Sequence, residues 1–255
     1  MGGGRAPCAI LTPHGDGPVV GRFGGPLLLP AGLPGPPART YLVATLDLAA
    51  LPEAATGLPL PGRRAPAPDR PLLRGSPGRG RRGPSRARGH PGGETPLAPG
   101  HDPDDAWAEL GGRTAEGEVL RLRRDVSLPG NESLYDPAEY PSARELRYAW
   151  AQGRDEAHPH HDGLRLQLGG YPVDPYGETD MLTASARQAA RVSGQPVEEQ
   201  SGPWEAPRAG KQVLLAQWYG GALVDGRVYW TAARRDLAAG RSGAVSVLGF
   251  FQGPG

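Results

Sequence analysis

Residues 168–175 read "LGGYPVDP", and far upstream residues 23–30 read "FGGPLLLP". Each places a glycine pair after a bulky apolar residue and follows it with proline. Gly169-Gly170 and Gly24-Gly25 permit positive φ and close approach of a second backbone. Pro172 and Pro175, like Pro26 and Pro30, exclude a helix and stiffen the exit. "GLRLQL" (163–168), just before the second pair, alternates apolar and polar residues, the period of a half-buried strand. The device used twice reads as a strand-and-hinge unit that occurs in each half of the chain.

Working outward, "TDMLTASARQAARVSG" (179–194) has a helical pattern. Thr179 or Asp180 caps it, Leu182, Ala186, Ala189 and Ala190 share a face, and Gly194 ends it. Three strand candidates follow: "QVLLAQW" (212–218), "RVYWT" (227–231) and "AVSVLGFF" (244–251), with a hairpin signal at Asp225-Gly226. In the first half, "TYLVATLDLAALP" (40–52) reads as a strand entering a short turn. "DLAA" stands at 47–50 and again at 236–239. "GEVLRLRRD" (117–125) is a further strand candidate. "PSARELRYAWAQG" (141–153) is the best helix, with Ser142 and Glu145 at capping-box spacing, Leu146, Ala149 and Trp150 on one face, and Gly153 as its stop. The expectation is an α+β, β-rich single domain with an internally duplicated core and few short helices. Coincidence in a Gly- and Ala-rich chain is the competing account of the repeat.

Composition agrees with short strands and many turns. Of 255 residues, 40 are Gly and 30 are Pro, and the apolar share is only 38%. Residues 62–94 stand apart, with nine Arg, eight Gly, six Pro and no aromatic residue, Val or Ile. Such a segment cannot bury enough apolar surface to offset about 1–2 kcal/mol of backbone entropy per residue, so disorder is expected. Without it the chain holds 19 basic and 25 acidic residues, net −6, although the whole is +1. The expected organisation is an N-terminal repeat at 1–61, the Arg/Gly/Pro-rich segment at 62–94, and the remainder with the C-terminal repeat at 95–255. Lys211 is the lone lysine, and the Ala, Gly, Pro and Arg usage is that of a GC-rich genome.

The ordered set "GGPLLLP … TYLVATLDLAALP … LPLPG", then "LGGYPVDP … QVLLAQW … DGRVYW … DLAAG", resembles the YwqG-like family, a bacterial family of a domain of unknown function. The matching positions are Gly24, Gly25, Pro26, Pro30, Asp47 and Leu48, then Gly169, Gly170, Tyr171, Pro172, Leu214, Leu215, Gln217, Gly226, Tyr229, Trp230, Asp236 and Leu237. The resemblance covers about residues 20–62 and 160–251. It implies an α+β fold with a duplicated, β-rich core, and no established activity or catalytic residues. The sequence departs from the pattern at Thr45, where glutamine is usual. It departs again after "LPLPG", where an apolar strand is expected and the Arg-rich segment stands instead. A reading-frame excursion over 62–94 explains that texture, and a natural linker is the alternative. The other frames of the gene decide between them.

Chemistry is sparse. "HPHHD" places His158, His160, His161 and Asp162 together, residue types that suit Zn²⁺ or Ni²⁺. Pro159 breaks the helix such a site favours, so a polar turn is the simpler account. "HDPDD" (101–105) lacks EF-hand spacing. "GRGRRG" (78–83) follows no strand, which removes a Rossmann reading. Its Arg/Gly character suits nonspecific phosphate contact, yet it carries no aromatic for stacking. Trp204, Trp218, Tyr229 and Trp230 are the candidate binding residues, with Trp204 on the long loop 194–211. Cys8 has no partner for an internal disulfide, which fits a reducing compartment, and no run of about 18 apolar residues occurs. The expected protein is cytoplasmic and non-enzymatic. It binds a protein or a small ligand, without a cofactor and without a membrane, and nucleic acid is the lesser possibility. The alternative is a hydrolase or metal-dependent enzyme whose site assembles only in three dimensions.

Overall fold

A computed structural model of the chain describes residues 5–24, 41–52, 54–60, 72–75, 117–129, 142–157, 165–173, 181–192, 212–219, 226–240 and 245–251. These build one strand-rich sheet with few helices. In chain order the strands are β1 (Ala6–Thr12), β2 (Val19–Phe23), β3 (Tyr41–Leu46), β4 (Leu72–Gly75), β5 (Val119–Ser127), β6 (Arg165–Gly169), β7 (Gln212–Tyr219), β8 (Gly226–Ala233) and β9 (Ser246–Phe251). The helices are α1 (Ala143–Ala157), α2 (Met181–Val192) and the short α3 (Arg234–Ala238). The sheet order is β4-β3-β2-β5-β1-β6-β7-β8-β9, and every pairing is antiparallel.

That order has an internal regularity. Exchanging β1 with β5, β2 with β6, β3 with β7 and β4 with β8 returns the same eight-strand order read from the opposite edge. The exchange pairs the two glycine hinges. Gly24 (φ 54°) closes β2, and Gly169 and Gly170 (φ 66° and 73°) close β6. It also pairs Thr45 with Gln217. Thr45 lies opposite Arg22, two residues before Gly24, and Gln217 lies opposite Gln167, two residues before Gly169.

Alternation gives the sheet two unlike faces. On the first, a row of cross-strand neighbours runs Leu122–Leu11–Leu166–Trp218–Val228 over five strands. A parallel row carries Ala9, Leu168, Ala216 and Trp230. Leu51 and Ala55 from the segment after β3, together with Leu237 of α3, complete this core. Each fully buried Leu contributes about 1.5–3 kcal/mol. Asp47 turns the chain out of β3, its Oδ1 accepting from Ala49 N at 3.0 Å at the head of a 3₁₀ turn, Leu48–Ala50.

The second face carries Cys8, Ile10, Asp125, Gln167, Gln217, Tyr229 and Thr231. Here α2 covers β7 and β8 through Met181, which packs with Leu214 and Tyr229, and through the contact of the Ser185 and Thr231 hydroxyls. The stripe α2 buries is therefore Met181 and Ser185, while Leu182, Ala186, Ala189 and Ala190 are half-buried. Helix α1 runs through Gly153 to Ala157 instead of stopping there. Its Leu146 is 68% exposed, and among its described side chains the buried one is Arg154.

Two further expectations change. Leu72–Gly75, inside the segment expected to be disordered, pairs with β3 as an edge strand. "PLL" is the one apolar run there, and pairing satisfies backbone groups along β3. The rest of 62–94 lies outside the described residues. Strands β1 and β2 were not anticipated from sequence, yet β1 lies at the centre of the sheet.

Candidate functional site

The polar groups of the second face form two zones. The first is closed. Arg154 reaches down from α1, and its Nε donates to Asp125 Oδ2 at 2.8 Å. Its Nη2 donates to Gln167 Oε1 at 2.7 Å and approaches Cys8 Sγ at 3.4 Å. The guanidinium carbon lies 5.1 Å from the centre of the Trp150 ring. Gln167 in turn donates through Nε2 to the carbonyls of Gly169 and Tyr171, at 2.9 and 3.0 Å. The hinge is fixed from the other side by Ser127, whose Oγ accepts from Tyr171 N at 2.8 Å. Gly170 is required here, because a Cβ would collide with Ser127 Oγ and come within 2.9 Å of Cys8 Cβ. A second tie joins Arg165 of β6 to Asp155 of α1 at 3.0 Å. Burial lowers the Arg165 guanidinium to about 10, so it stays charged at neutral pH.

This zone clamps a helix to a sheet. Burial pushes the Cys8 thiol up to about 11, outweighing the nearby Arg154 charge, so Cys8 is held protonated and is a poor nucleophile. Arg154 bonds to Asp125 and Gln167, and Gln167 bonds onward to the hinge.

The second zone is open. Arg121 and Arg123 are alternate residues of β5 and share the second face, and Arg22 of β2 lies on that face opposite Val119. Val119 is 39% exposed, Arg123 is exposed, and Arg22 and Arg121 are half-exposed. Arg121 Nη1 donates to Gly17 O at 3.2 Å, which steadies it. Among the described residues no carboxylate pairs with Arg22, Arg121 or Arg123. Asp125, the next residue on their face of β5, is engaged by Arg154.

The candidate residues from sequence fall differently. Trp218, Tyr229 and Trp230 are interior residues, exposed by 1%, 0% and 1%. Trp218 and Trp230 build the first-face core, and Tyr229 lies beneath α2 with its hydroxyl donating to Val173 O at 2.6 Å. All three pack inside the sheet, because strand pairing directs them into its two covered faces. Gln217 accepts from Val173 N at 2.8 Å and, like Thr45, holds the backbone that leaves a glycine hinge. Pro172 is buried and Tyr171 half-buried in that exit. Asp236 lies in α3 beside Arg235. Trp204, Gly25, Pro26 and the metal candidates His158, His160, His161 and Asp162 lie outside the described residues. Sequence reading missed Arg154, Asp125, Cys8, Ser127 and Gln167 as a cluster, because they come from four elements. It also missed the arginine strip, although the alternation in "VLRLRRD" (119–125) assigns Arg121 and Arg123 to one side.

No family model, curated protein or solved structure matches the chain. Among the described residues no helix is long and apolar enough to cross a membrane.

Proposed function

We propose that this chain is a non-enzymatic binding domain of the bacterial cytoplasm, and that its ligand is anionic and docks on the open zone of the second face. The observation that carries the reading is the contrast between the two zones. Among the described residues Cys8, Arg154 and Gln167 are buried and joined in the clamp. Arg22, Arg121 and Arg123, which pair with no carboxylate among the described residues, stand on an accessible surface. Like charges side by side in a sheet cost stability unless a counter-charge is supplied. The buried, singly occurring thiol of Cys8 supports a reducing compartment. Within the same reading we place the chain as an α+β relative of the YwqG-like family, built by internal duplication with β1 and β5 exchanged between the repeats. The matching glycine hinges after β2 and β6 support that origin, as does the equivalence of Thr45 with Gln217.

Thermal unfolding at low salt, with and without heparin as a polyanion probe, tests the function. A ligand present at a hundred times its Kd adds about 2.7 kcal/mol to stability, so the midpoint rises. The rise disappears in Arg121→Gln/Arg123→Gln. Parallel assays with chromogenic ester and phosphoester substrates show no steady turnover. Turnover abolished by one point substitution, or a midpoint shift unaffected by the arginine changes, refutes the reading.

A further inference from the structure

We infer that the strip Arg22–Arg121–Arg123 binds the phosphodiester backbone of single-stranded nucleic acid. The inference rests on the binding role proposed above and names its ligand. Several observations lead to it. Arg121 and Arg123 are two residues apart on an extended strand, which spaces them by about 6.6–6.8 Å. Arg22 continues the strip on the neighbouring strand. The surface is accessible, as the exposure of Val119 opposite Arg22 and of Val19 opposite Arg121 shows, so it suits an extended polymer that lies along the strip. The strip is basic although the sequence outside 62–94 is net −6. Guanidinium groups with free donors and no carboxylate partner suit phosphate oxygens, which they engage bidentately. Finally, the aromatic residues of neighbouring strands face the covered parts of the sheet. Trp218, Tyr229 and Trp230 are buried and offer no platform for bases. Contact is therefore to phosphate alone, independent of sequence and sensitive to salt.

The test is fluorescence anisotropy of a labelled 20-nucleotide oligo(dT) with the full chain between 50 and 200 mM salt. Each phosphate neutralised on a single strand contributes about −0.7 to the slope of log K against log salt, so the strip accounts for about −2. In Arg22→Gln/Arg121→Gln/Arg123→Gln binding weakens and the slope shrinks by that amount. The affinity advantage of the natural chain over this variant then narrows about 20-fold across the salt range. Arg124→Gln, the same charge change on the other side of β5, leaves the slope unaltered. The triple variant melts no earlier than the natural chain, because like charges are removed. If it does melt earlier, the single change Arg123→Gln at an exposed position carries the test, with a slope change of about 0.7. The inference is overturned if the full chain does not bind the oligonucleotide, or if the triple variant binds it equally. It is also overturned if inorganic phosphate or a duplex of equal length competes as well as the single strand. Polyglutamate binding through the strip while the oligonucleotide does not bind overturns this inference and leaves the anion-binding role intact. If the strip substitutions affect neither probe, both readings fall.

Discussion

Arg154→Met tests whether α1 is held to the sheet by the buried clamp. The substitution keeps an unbranched apolar stem and removes the guanidinium. Breaking a buried ion pair from one side costs about 3–5 kcal/mol. The Arg154 side chain is 5% exposed and that of Asp125 is 19% exposed. Water therefore reaches the stranded carboxylate, and Asp125 Oδ1 still accepts from Val126 N at 2.7 Å. The carboxylate then accounts for about 3 kcal/mol, the lower end of that range. Gln167 Oε1 loses its donor, which adds about 1 kcal/mol. The stacked guanidinium over Trp150 is lost as well, worth about 0.5–1 kcal/mol. The expected loss is about 4.5–5 kcal/mol, a large part of the 5–15 kcal/mol typical of a domain. Urea unfolding followed by circular dichroism measures it. Asp125→Leu combined with Arg154→Met recovers much of the loss, because the stranded charge is removed along with its partner. A loss below about 1 kcal/mol for Arg154→Met, or strict additivity of the two changes, refutes the clamp.

Three other perturbations have defined outcomes. Gly170→Ala destabilises by at least about 2 kcal/mol, since it adds positive-φ strain to contact with Ser127 and Cys8; an unchanged urea midpoint counts against the packed hinge. Gly153→Ala does the reverse, because a Cβ there meets nothing within 4 Å and a helix-interior glycine costs about 0.8–1.0 kcal/mol relative to alanine; a lowered midpoint would mean that α1 breaks at residue 153. The Cys8 thiol is raised from 9.0 to about 11 in the folded chain, so the native state holds its proton longer than the unfolded state does. The stability of the natural chain relative to Cys8→Ala is therefore fully present below pH 9. It declines between pH 9 and 11 by up to about 3 kcal/mol. A difference that stays flat over that range refutes the burial.

What sequence revealed and what it concealed divide along physical lines. Strands β6, β7 and β8 were legible because alternation and aromatic or β-branched runs coincide there. Strand β1, "APCAILT", was not. Its Pro, Cys and Ala have weak strand propensity, and its place in the sheet is set by β5 and β6 on either side. Gly153 reads as a stop, yet α1 continues because Arg154 must reach Asp125. Tertiary contact there outweighs local propensity. The aromatic residues of β7 and β8 read equally as core or rim anchors, because period alone does not say which faces are covered. In this sheet α2 covers the Tyr229 side and the main core covers the Trp218 and Trp230 side. The clamp was beyond sequence reading, since Cys8 and Arg154 meet across 146 residues.

The same long-range pairings set how the second face is assembled. Strands β6 to β9 form a meander of neighbours in sequence, whereas β1 pairs only with strands made far later, its Ala6 carbonyl meeting Ser127 Oγ 121 residues on. Contacts of such separation are formed against a high closure entropy and slow the folding of β-rich domains. Until β1 enters between β5 and β6, Asp125 has no Cys8 opposite it and Gly169 has no neighbour on its far side. The clamp and the hinge therefore cannot close before the central strand is in place. The arginine strip depends on the same event. Arg121 and Arg123 are aimed by β5, and β5 is aligned by its pairing with β1 over Ala6–Thr12. A one-residue slip of β5 would turn both arginines into the Leu11–Leu166 core and expose Leu120 and Leu122. The cost of burying two unpaired guanidinium groups forbids that alternative. The charges that mark the open zone thus also fix the register that presents them.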